Sequence, residues 1–266
     1  MNDSFSYSVI GLAMEVHREL GPGLDERFYH ALFTQKLLRA GIAHDSRVRR
    51  ELMHCCVVAD VFEPDIAFPG RMIVELKCLT GAFAGEHFVQ LFCYLKFWRI
   101  PTGLLFDFAK ESLVYRRVEF REPMFEAPSL ADMVAEVSDR GLAGGIDSTV
   151  CEAVRKVAKE HGLGYRDTTY AGLLKAEFRH AGVECMSDPS VNVNAEEQLL
   201  GITTLPCLLV DQRIALKVLA LRRSITAADV ASLRTYIRLV GAQCGLIVNF
   251  DRASINWRWV VAATSK

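Results

Sequence analysis

The pattern of apolar and polar positions changes from helical to alternating within the first half of the chain. In SYSVIGLAMEVHREL, apolar residues at 9, 10, 12, 13 and 16 fall on one helix face, and GPG at 21–23 ends that helix. A second helix is predicted from Asp25 to about Ala40. The segments that follow are extended at about 47–58, 62–68 and 72–79, helical at about 84–98, and extended at 103–108 and 113–120. The order α-α-β-β-β-α-β-β predicts an α/β domain with a mixed central sheet flanked by helices.

The second half of the chain repeats this pattern. The segment EVHRELGPGLDERFYHALF at 15–33 matches KVAKEHGLGYRDTTYAGLL at 156–174, and after one inserted residue GLLFDF at 103–108 matches GLIVNF at 245–250. We interpret the match as a tandem duplication. The predicted domains are residues 1–122 and 147–266, and the Pro- and Gly-containing segment 123–146 is predicted to be a linker.

Composition and charge are those of a globular protein. The chain has 266 residues, 51% of them hydrophobic and 24% charged, which suits two domains that each bury a core. The net charge of −1 gives no global attraction to nucleic acid, although a local basic groove remains compatible with it, and RVRR at 47–50 is one short basic run. Charged residues interrupt the N-terminal apolar stretch, so we expect a cytoplasmic protein without a membrane span.

The eight cysteines indicate neither a disulfide framework nor a zinc site. They are spread along the chain without a C-x-x-C pair, and we expect reduced thiols that are mostly buried. His54, Cys55 and Cys56 are adjacent, but they are predicted to lie in one strand. Alternation of side chains along a strand would then prevent all three from facing one metal ion.

Charged residues gather in the segment EPDIAFPGRMIVELKC at 63–78. If residues 69–71 form a three-residue loop between two strands, Asp65 lies across from Glu75, and Lys77 shares their face. Two opposed carboxylates destabilise a sheet unless a cation lies between them. Lys77 in a structural salt bridge is one such cation, and a divalent metal such as Mg²⁺ is the other.

These residues resemble a known signature. The dipeptide PD at 64–65 followed by ELK at 75–77 is similar to the catalytic signature of the PD-(D/E)XK nuclease superfamily. GLDERFY, with Gly23, Glu26 and Tyr29, resembles the motif of its GxxExxY protein family, and QLFCY, with Gln90 and Tyr94, is similar to the Q-x-x-x-Y element of RecB-like members. The resemblance covers about residues 8–120.

The resemblance implies two tandem restriction-endonuclease-like domains and metal-dependent hydrolysis of phosphodiester bonds. It implies that Mg²⁺ or Mn²⁺ is held by Asp65, Glu75, Glu26 and the carbonyl oxygen of Leu76. Lys77 would orient or deprotonate the attacking water, and Gln90 would hold the site together or contact the scissile strand. The accessory candidates, for which packing or exposure to solvent is the alternative, are Tyr94, Tyr29, Glu15 and His17.

The second copy departs from the signature at the decisive positions. The residues that match Glu26, Asp65, Glu75, Lys77 and Gln90 are Asp167, Cys207, Lys217, Leu219 and Ser232. One carboxylate beside a lysine is a poor ligand set for Mg²⁺. We therefore predict that the second copy is a pseudo-nuclease domain that packs, binds substrate or replaces a dimer partner, in a monomeric pseudo-dimer or a weak homodimer.

The favoured function is a metal-dependent nuclease that acts on DNA rather than RNA. The alternative is a non-catalytic scaffold that binds nucleic acid or protein on a nuclease fold. The near-neutral charge and the altered second copy favour the alternative, and the intact Asp65, Glu75 and Lys77 favour the enzyme.

Overall fold

The computed structural model describes residues 4–138, 145–196, 198–221 and 224–261. The helices are α1 (Ser4–Leu20), α2 (Glu26–Arg39), α3 (Gly85–Trp98), α4 (Leu130–Ser138), α5 (Ile146–His161), α6 (Asp167–His180) and α7 (Ala227–Val240). The strands of the first half are β1 (Asp45–Ser46), β2 (Arg50–His54), β3 (Val57–Phe62), β4 (Ile66–Phe68), β5 (Met72–Lys77), β6 (Thr102–Asp107) and β7 (Val114–Glu119). Those of the second half are β8 (Cys185–Ser187), β9 (Ser190–Ala195), β10 (Gln198–Thr204), β11 (Leu208–Val210), β12 (Ile214–Ala220), β13 (Cys244–Phe250) and β14 (Ile255–Val261).

The chain divides into two compact units. The first comprises Met1–Glu51 and Val61–Arg121, and the second comprises Leu52–Asp60 and Glu122–Lys266. The short segment 52–60 of the first repeat therefore belongs to the second unit. The boundaries at 122 and 146 stay a prediction, and residues 139–144 of the predicted linker lie outside the described residues.

The first unit is built on a five-stranded sheet in the order β1-β4-β5-β6-β7. Strands β5 and β6 are parallel, and the other neighbouring pairs are antiparallel, which confirms the predicted mixed sheet. In the β4–β5 hairpin, Ile66 pairs with Val74 and Phe68 with Met72, so residues 69–71 form the predicted three-residue loop. Gly70 in this loop has a φ of 68°, a conformation that glycine adopts without a Cβ clash.

Helices cover both faces of this sheet. Val74 and Leu76 of β5 point into a core with Val9 of α1 and Phe33 of α2. The helix α3 packs on β5 and β6 from the other side. Alternation along β5 therefore turns Glu75 and Lys77 away from the core of α1 and α2 and toward the face that α3 covers.

The second unit repeats the sheet. Its order is β14-β13-β12-β11-β8, with β12 and β13 parallel and the other neighbours antiparallel. The helix α4 lies in the predicted linker, where its Met133 is buried and its carbonyl oxygen accepts a hydrogen bond from the Trp259 indole at 2.8 Å. The matching apolar patterns of the two repeats thus produce the same α/β fold class twice, as predicted.

The segment 47–58 is not the single strand that its composition predicts. It contains β2 and the start of β3, which pair as a two-stranded sheet. Cys55 and Cys56 form the turn, with φ values of 47° and 60°. Positive φ at both central residues is typical of a two-residue type I′ hairpin turn, whose backbone twist matches that of the flanking strands. Strand alternation stops at this turn, so it does not keep His54 and Cys55 apart, and both side chains contact Glu177. That all three residues cannot face one metal ion stays a prediction.

The hairpin is anchored on the helices of the second unit. The carboxylate of Asp60 accepts hydrogen bonds from the Arg166 guanidinium at 3.1 and 3.2 Å and from the Thr169 hydroxyl. Gly172 of α6 lies so close to β3 that a Cβ at this position would be 2.1 Å from the Ala59 carbonyl oxygen. Glycine is therefore required where α6 and β3 meet.

Among the described residues, no helix combines the length and the apolar character needed to cross a bilayer.

Candidate functional site

The two carboxylates of the first unit are held in place by backbone groups of the β4–β5 hairpin. Asp65, directly before β4, donates its backbone N–H to Glu75 Oε1 at 3.1 Å. In return, Asp65 Oδ2 accepts a hydrogen bond from the backbone N–H of Leu76 at 2.8 Å. The hairpin therefore places both carboxylates side by side, as the predicted register required.

Glu75 and Lys77 form a largely buried ion pair. Lys77 Nζ lies 3.1 Å from Glu75 Oε2, and the side chains are 17% and 1% exposed. Burial and the neighbouring Asp65 charge raise the pKa of Glu75 to about 8. Burial works to lower the pKa of Lys77, but the carboxylates of Glu75 and Asp65 outweigh it and raise that pKa. With all of its carboxylates ionised the site would hold more negative charge than one lysine neutralises. The raised pKa of Glu75 reports that repulsion, which an additional cation would relieve.

Glu26 brings a third carboxylate to this cluster. It is the first residue of α2, and its pKa is raised by burial and then by the charge of Asp65, with Lys77 and Arg47 acting in the opposite direction. The charges of Asp65 and Lys77 thus influence the pKa values of both Glu26 and Glu75, so the four residues interact electrostatically. We call these four residues the carboxylate cluster.

The other predicted residues occupy different surroundings. Gln90 donates a hydrogen bond to the Tyr94 hydroxyl at 3.0 Å, so these two interact along α3, the helix that packs on β5. Glu15 is paired with Lys36 at 3.4 Å, and His17 Nε2 lies 2.8 Å from the carbonyl oxygen of Lys110. Glu15 and His17 therefore contact other residues of the first unit, Lys36 and Lys110, rather than the carboxylate cluster.

Tyr29 holds the loop between the first two helices. Its hydroxyl donates to the Gly21 carbonyl oxygen at 2.7 Å, and its fully buried ring stacks on Phe108. In the second unit, Tyr170 makes the same contact with the Gly162 carbonyl oxygen at 2.8 Å. Because the copy without the carboxylates keeps this contact, the tyrosine of the motif supports the loop in both units.

Three further residues lie beside the cluster. Two of them were not singled out in the sequence, and the third, Arg47, was noted only as part of the basic run at 47–50. His30 Nε2 is 3.2 Å from the Asp65 carbonyl oxygen and 3.2 Å from the Ser46 hydroxyl, and the Asp65 carbonyl also accepts the backbone N–H of Arg47 at 3.0 Å. His30 follows Glu26 by four positions, so the helical periodicity carried a signal that both face the same side. No sequence pattern placed Ser46 or the basic Arg47 at Asp65, because only the pairing of β1 with β4 brings them there.

The matching positions of the second unit form a different arrangement. Lys217 donates to Asp229 at 3.1 Å and to the Ser232 hydroxyl at 2.7 Å. Burial opposes the charge on Asp229, but hydrogen bonds from Thr226 and Lys217 hold its pKa down at about 2. The lysine that replaces Glu75 is thus neutralised within its own unit.

A cleft of about 860 Å³ opens in the second unit beside two of the replaced positions. Asp167 and Cys207 both line it, together with Lys175 and Arg179 of α6. Burial and nearby negative charge raise the pKa of Cys207 to about 11, so this thiol stays protonated at neutral pH. A neutral thiol and one carboxylate are not the hard oxygen donors that Mg²⁺ requires.

A protein-family model matches the chain in two separate regions. The family model described as PD-(D/E)XK nuclease superfamily matches residues 3–118 and again residues 145–260. A search of the curated proteins found no match. The two matched regions coincide with the two repeats and confirm the tandem duplication.

Proposed function

Because the chain belongs to the PD-(D/E)XK nuclease superfamily, we propose that its first unit is a metal-dependent nuclease that hydrolyses phosphodiester bonds of DNA. The observation that carries the proposal is the buried Glu75 beside Asp65, with Lys77 as the single ammonium group in contact with Glu75 among the described residues. Placing the half-buried Asp65 against the buried Glu75 with one lysine is unfavourable for a purely structural role, whereas a bound cation would offset the repulsion between the two carboxylates.

The donor set fits a hard divalent cation. Asp65, Glu75 and Glu26 offer carboxylate oxygens, and Leu76 lies between Glu75 and Lys77 with its carbonyl as a further oxygen donor. Oxygen ligands of this kind suit Mg²⁺ or Mn²⁺. When bound, the metal ion would polarise the scissile phosphate and lower the pKa of a bound water.

Besides the metal ion, Lys77 would supply positive charge at the scissile phosphate. Its ammonium group, held by Glu75, would orient the attacking water and stabilise the negative charge that develops on the phosphate oxygens. The raised pKa of Lys77 keeps this group protonated at neutral pH. Arg47 is exposed and lowers the pKa of Glu26 by its charge, so we assign it to binding the phosphate backbone.

The second unit is assigned a non-catalytic role in this proposal. Cys207 and Lys217 stand where the metal ligands Asp65 and Glu75 stand in the first unit. Lys217 is already paired with Asp229, which leaves no excess of negative charge at that position. We propose that this unit contributes to binding or assembly and not to hydrolysis.

A cleavage assay tests the nuclease proposal. Labelled single-stranded and double-stranded DNA and RNA are incubated with Mg²⁺ or Mn²⁺ and the full chain, its Asp65→Ala and Lys77→Ala variants, and Lys217→Ala as the matched control in the second unit. Cleavage should fall roughly 100-fold or more in the first two variants, because both lose transition-state stabilisation, and should persist in the control.

The same assay separates the enzyme from the scaffold. If the wild-type chain cuts none of the four substrates but still binds one of them, and Asp65→Ala binds it equally well, the nuclease proposal is wrong. The non-catalytic scaffold would then be the function to pursue.

A further inference from the structure

A second cluster of metal-ligating side chains lies in the second unit, separate in sequence and chemistry from the carboxylate cluster. It consists of His54 at the end of β2, Glu160 and His161 at the end of α5, and Glu177 of α6, and we call it the histidine cluster. The side chain of His54 is fully buried, and that of Glu160 is 60% exposed. The cluster therefore runs from the interior of the unit to its surface.

Three atoms of this cluster point at one another. His54 Nδ1 is 3.0 Å from His161 Nε2 and 3.5 Å from Glu160 Oε1. His161 Nε2 is 3.8 Å from the same carboxylate oxygen. A tetrahedral zinc ion with bonds of about 2.0–2.1 Å separates its ligand atoms by about 3.3–3.4 Å. The observed triangle is close to one face of such a tetrahedron.

The fourth residue fixes the tautomer that such a site requires. Glu177 Oε2 lies 3.0 Å from His54 Nε2, and its other oxygen accepts a hydrogen bond from Lys156 at 2.9 Å. These contacts, together with that from Cys55, hold the pKa of Glu177 below its usual value despite burial. A carboxylate that accepts the Nε2 proton of a histidine leaves Nδ1 unprotonated. The Nδ1 lone pair of His54, which lies 3.0 Å from His161 Nε2, can then bind a metal, as in carboxylate–histidine–zinc arrangements.

The opposite side of the His54 ring is a weaker site. There, Cys55 Sγ and Glu177 lie within reach of His54 Nε2, as a second possible ligand group. Lys156 places an ammonium group on Glu177, which opposes a second cation at that carboxylate. Burial and the Glu177 charge also raise the pKa of Cys55, so its thiolate, the form that binds metals, is disfavoured.

The site is not inherited from the repeat. The positions of the first half that match Glu160 and His161 are Glu19 and Leu20, and Glu177 is matched by Lys36. Lys36 forms an ion pair with Glu19 at 3.0 Å, which is an ordinary surface contact. The two histidines and the supporting carboxylate therefore occur together only in the second unit.

We propose that His54, His161 and Glu160 bind a zinc ion, with Glu177 as the group that orients His54. Two imidazoles and one carboxylate suit Zn²⁺ better than Mg²⁺, and the exposed side of Glu160 leaves a fourth position for water. The ligands on β2 and α5 are more than a hundred positions apart in sequence and come together only when the second unit folds. A bound ion would therefore stabilise that unit by linking its hairpin to its helices.

Zinc binding is measured on the full chain in an Asp65→Asn, Glu75→Gln background, which removes the carboxylates of the first unit as competing ligands. Competition with a chromogenic zinc chelator should give one tightly bound zinc ion per chain. Changing a group that only orients a metal ligand weakens binding about 10–100-fold, so His161→Gln should weaken it by more than about 100-fold. His180→Gln, an exposed histidine at the end of α6, is the matched control and should bind as the background does.

A second readout keeps the test independent of folding defects. Zinc should raise the unfolding temperature of the background chain and of His180→Gln, and should not raise that of His161→Gln or Glu160→Gln. Equal zinc affinity in His161→Gln and the background, or the absence of a bound zinc ion in the background, would overturn the proposal. Loss of binding in Cys55→Ser with retention in Glu160→Gln would overturn the choice of ligands.

Discussion

At the scale of single residues, the two units use buried charge in opposite ways. Glu75 is buried with a carboxylate neighbour, and its pKa is raised to about 8. Asp229, also buried, is surrounded by donors, and its pKa is lowered to about 2. A buried carboxylate beside a second carboxylate favours a bound cation, whereas a carboxylate that accepts hydrogen bonds from several donors stabilises the fold.

The lowered pKa of Asp229 predicts a pH-dependent contribution to stability. A folded pKa of about 2, against the ordinary aspartate value of 3.8, contributes stability that is fully present above about pH 5 and is lost as the pH falls toward 2. Asp229→Asn should destabilise the second unit by about 2 kcal/mol at pH 7 and by about half of that at pH 3. Urea unfolding at both pH values measures the difference.

The exposed Asp211→Asn is the matched control for this comparison. Its carboxylate is 3.9 Å from Arg213 on the surface, so its removal should change stability little at either pH. An Asp229→Asn effect that stays the same at pH 3 and pH 7 would contradict the assigned origin of the stabilisation.

The shared tyrosine contact yields a second prediction at this scale. Tyr29→Phe and Tyr170→Phe each remove the hydroxyl that donates to a loop carbonyl oxygen, at 2.7 and 2.8 Å respectively. That hydroxyl also accepts the backbone N–H of Leu24 or of Tyr165, so each variant loses this contact as well. Each substitution should lower the unfolding free energy of its unit by about 1 kcal/mol. Calorimetric Mg²⁺ binding by Tyr29→Phe should match that of the wild type, and a large loss of Mg²⁺ affinity at unchanged stability would instead make Tyr29 part of the metal site.

At the scale of elements, equivalent helices carry out different packing tasks. In α2 the position that matches Gly172 is Ala31, which is exposed. In α6 this position meets the backbone of β3, where only glycine leaves room. The same helix therefore tolerates a methyl group in one unit and excludes it in the other, because a hairpin packs on α6.

Gly172→Ala should destabilise the second unit, although alanine is the better helix former. A Cβ would be 2.1 Å from the Ala59 carbonyl oxygen, a backbone atom that cannot move without shifting β3. We expect a loss of roughly 1–3 kcal/mol, as for other overpacked sites. Thermal unfolding of the variant measures it.

Gly11→Ala is the matched control, since Gly11 also lies within a helix but has open space where a Cβ would lie. Here alanine should stabilise the first unit by roughly 0.5–1 kcal/mol through helix propensity alone. A stabilising Gly172→Ala would show that the contact between α6 and β3 is looser than described.

At the scale of the whole molecule, the two copies of one fold have diverged in chemistry while sharing a sheet order. The chain enters the second unit at residues 52–60, returns to the first unit at Val61, and reaches the second unit again at Glu122. Cutting the chain at the linker therefore removes a structural element from the second unit.

A fragment of residues 122–266 should be markedly less stable than the second unit of the full chain. Without the hairpin, Arg166 and Thr169 lose Asp60, and the buried Glu177 loses His54. Circular dichroism melts of the fragment, compared with a fusion that carries residues 50–62 through a Gly/Ser linker, measure the effect. Equal melting temperatures of the fragment and the fusion would mean that the hairpin does not stabilise the unit.

Much of this protein is determined by its sequence alone. The helical and alternating apolar patterns determine the α/β class, since each element must bury one face, and the β4–β5 register follows from the loop of three residues around Gly70. That register places Asp65 beside Glu75, so the core of the candidate site was predictable from spacing. The glycines and tyrosines that recur at a constant spacing in both halves indicated the duplication.

Only the tertiary structure decided the rest. Cys55 and Cys56 lack the glycine or asparagine that usually marks a hairpin turn, so local chemistry gave no warning that the predicted strand folds back. The hairpin then packs in the second unit, where His54 meets Glu160, His161 and Glu177, residues more than a hundred positions away. Contacts of this kind depend on how whole helices and strands pack against each other. A local pattern of apolar and polar residues does not predict them.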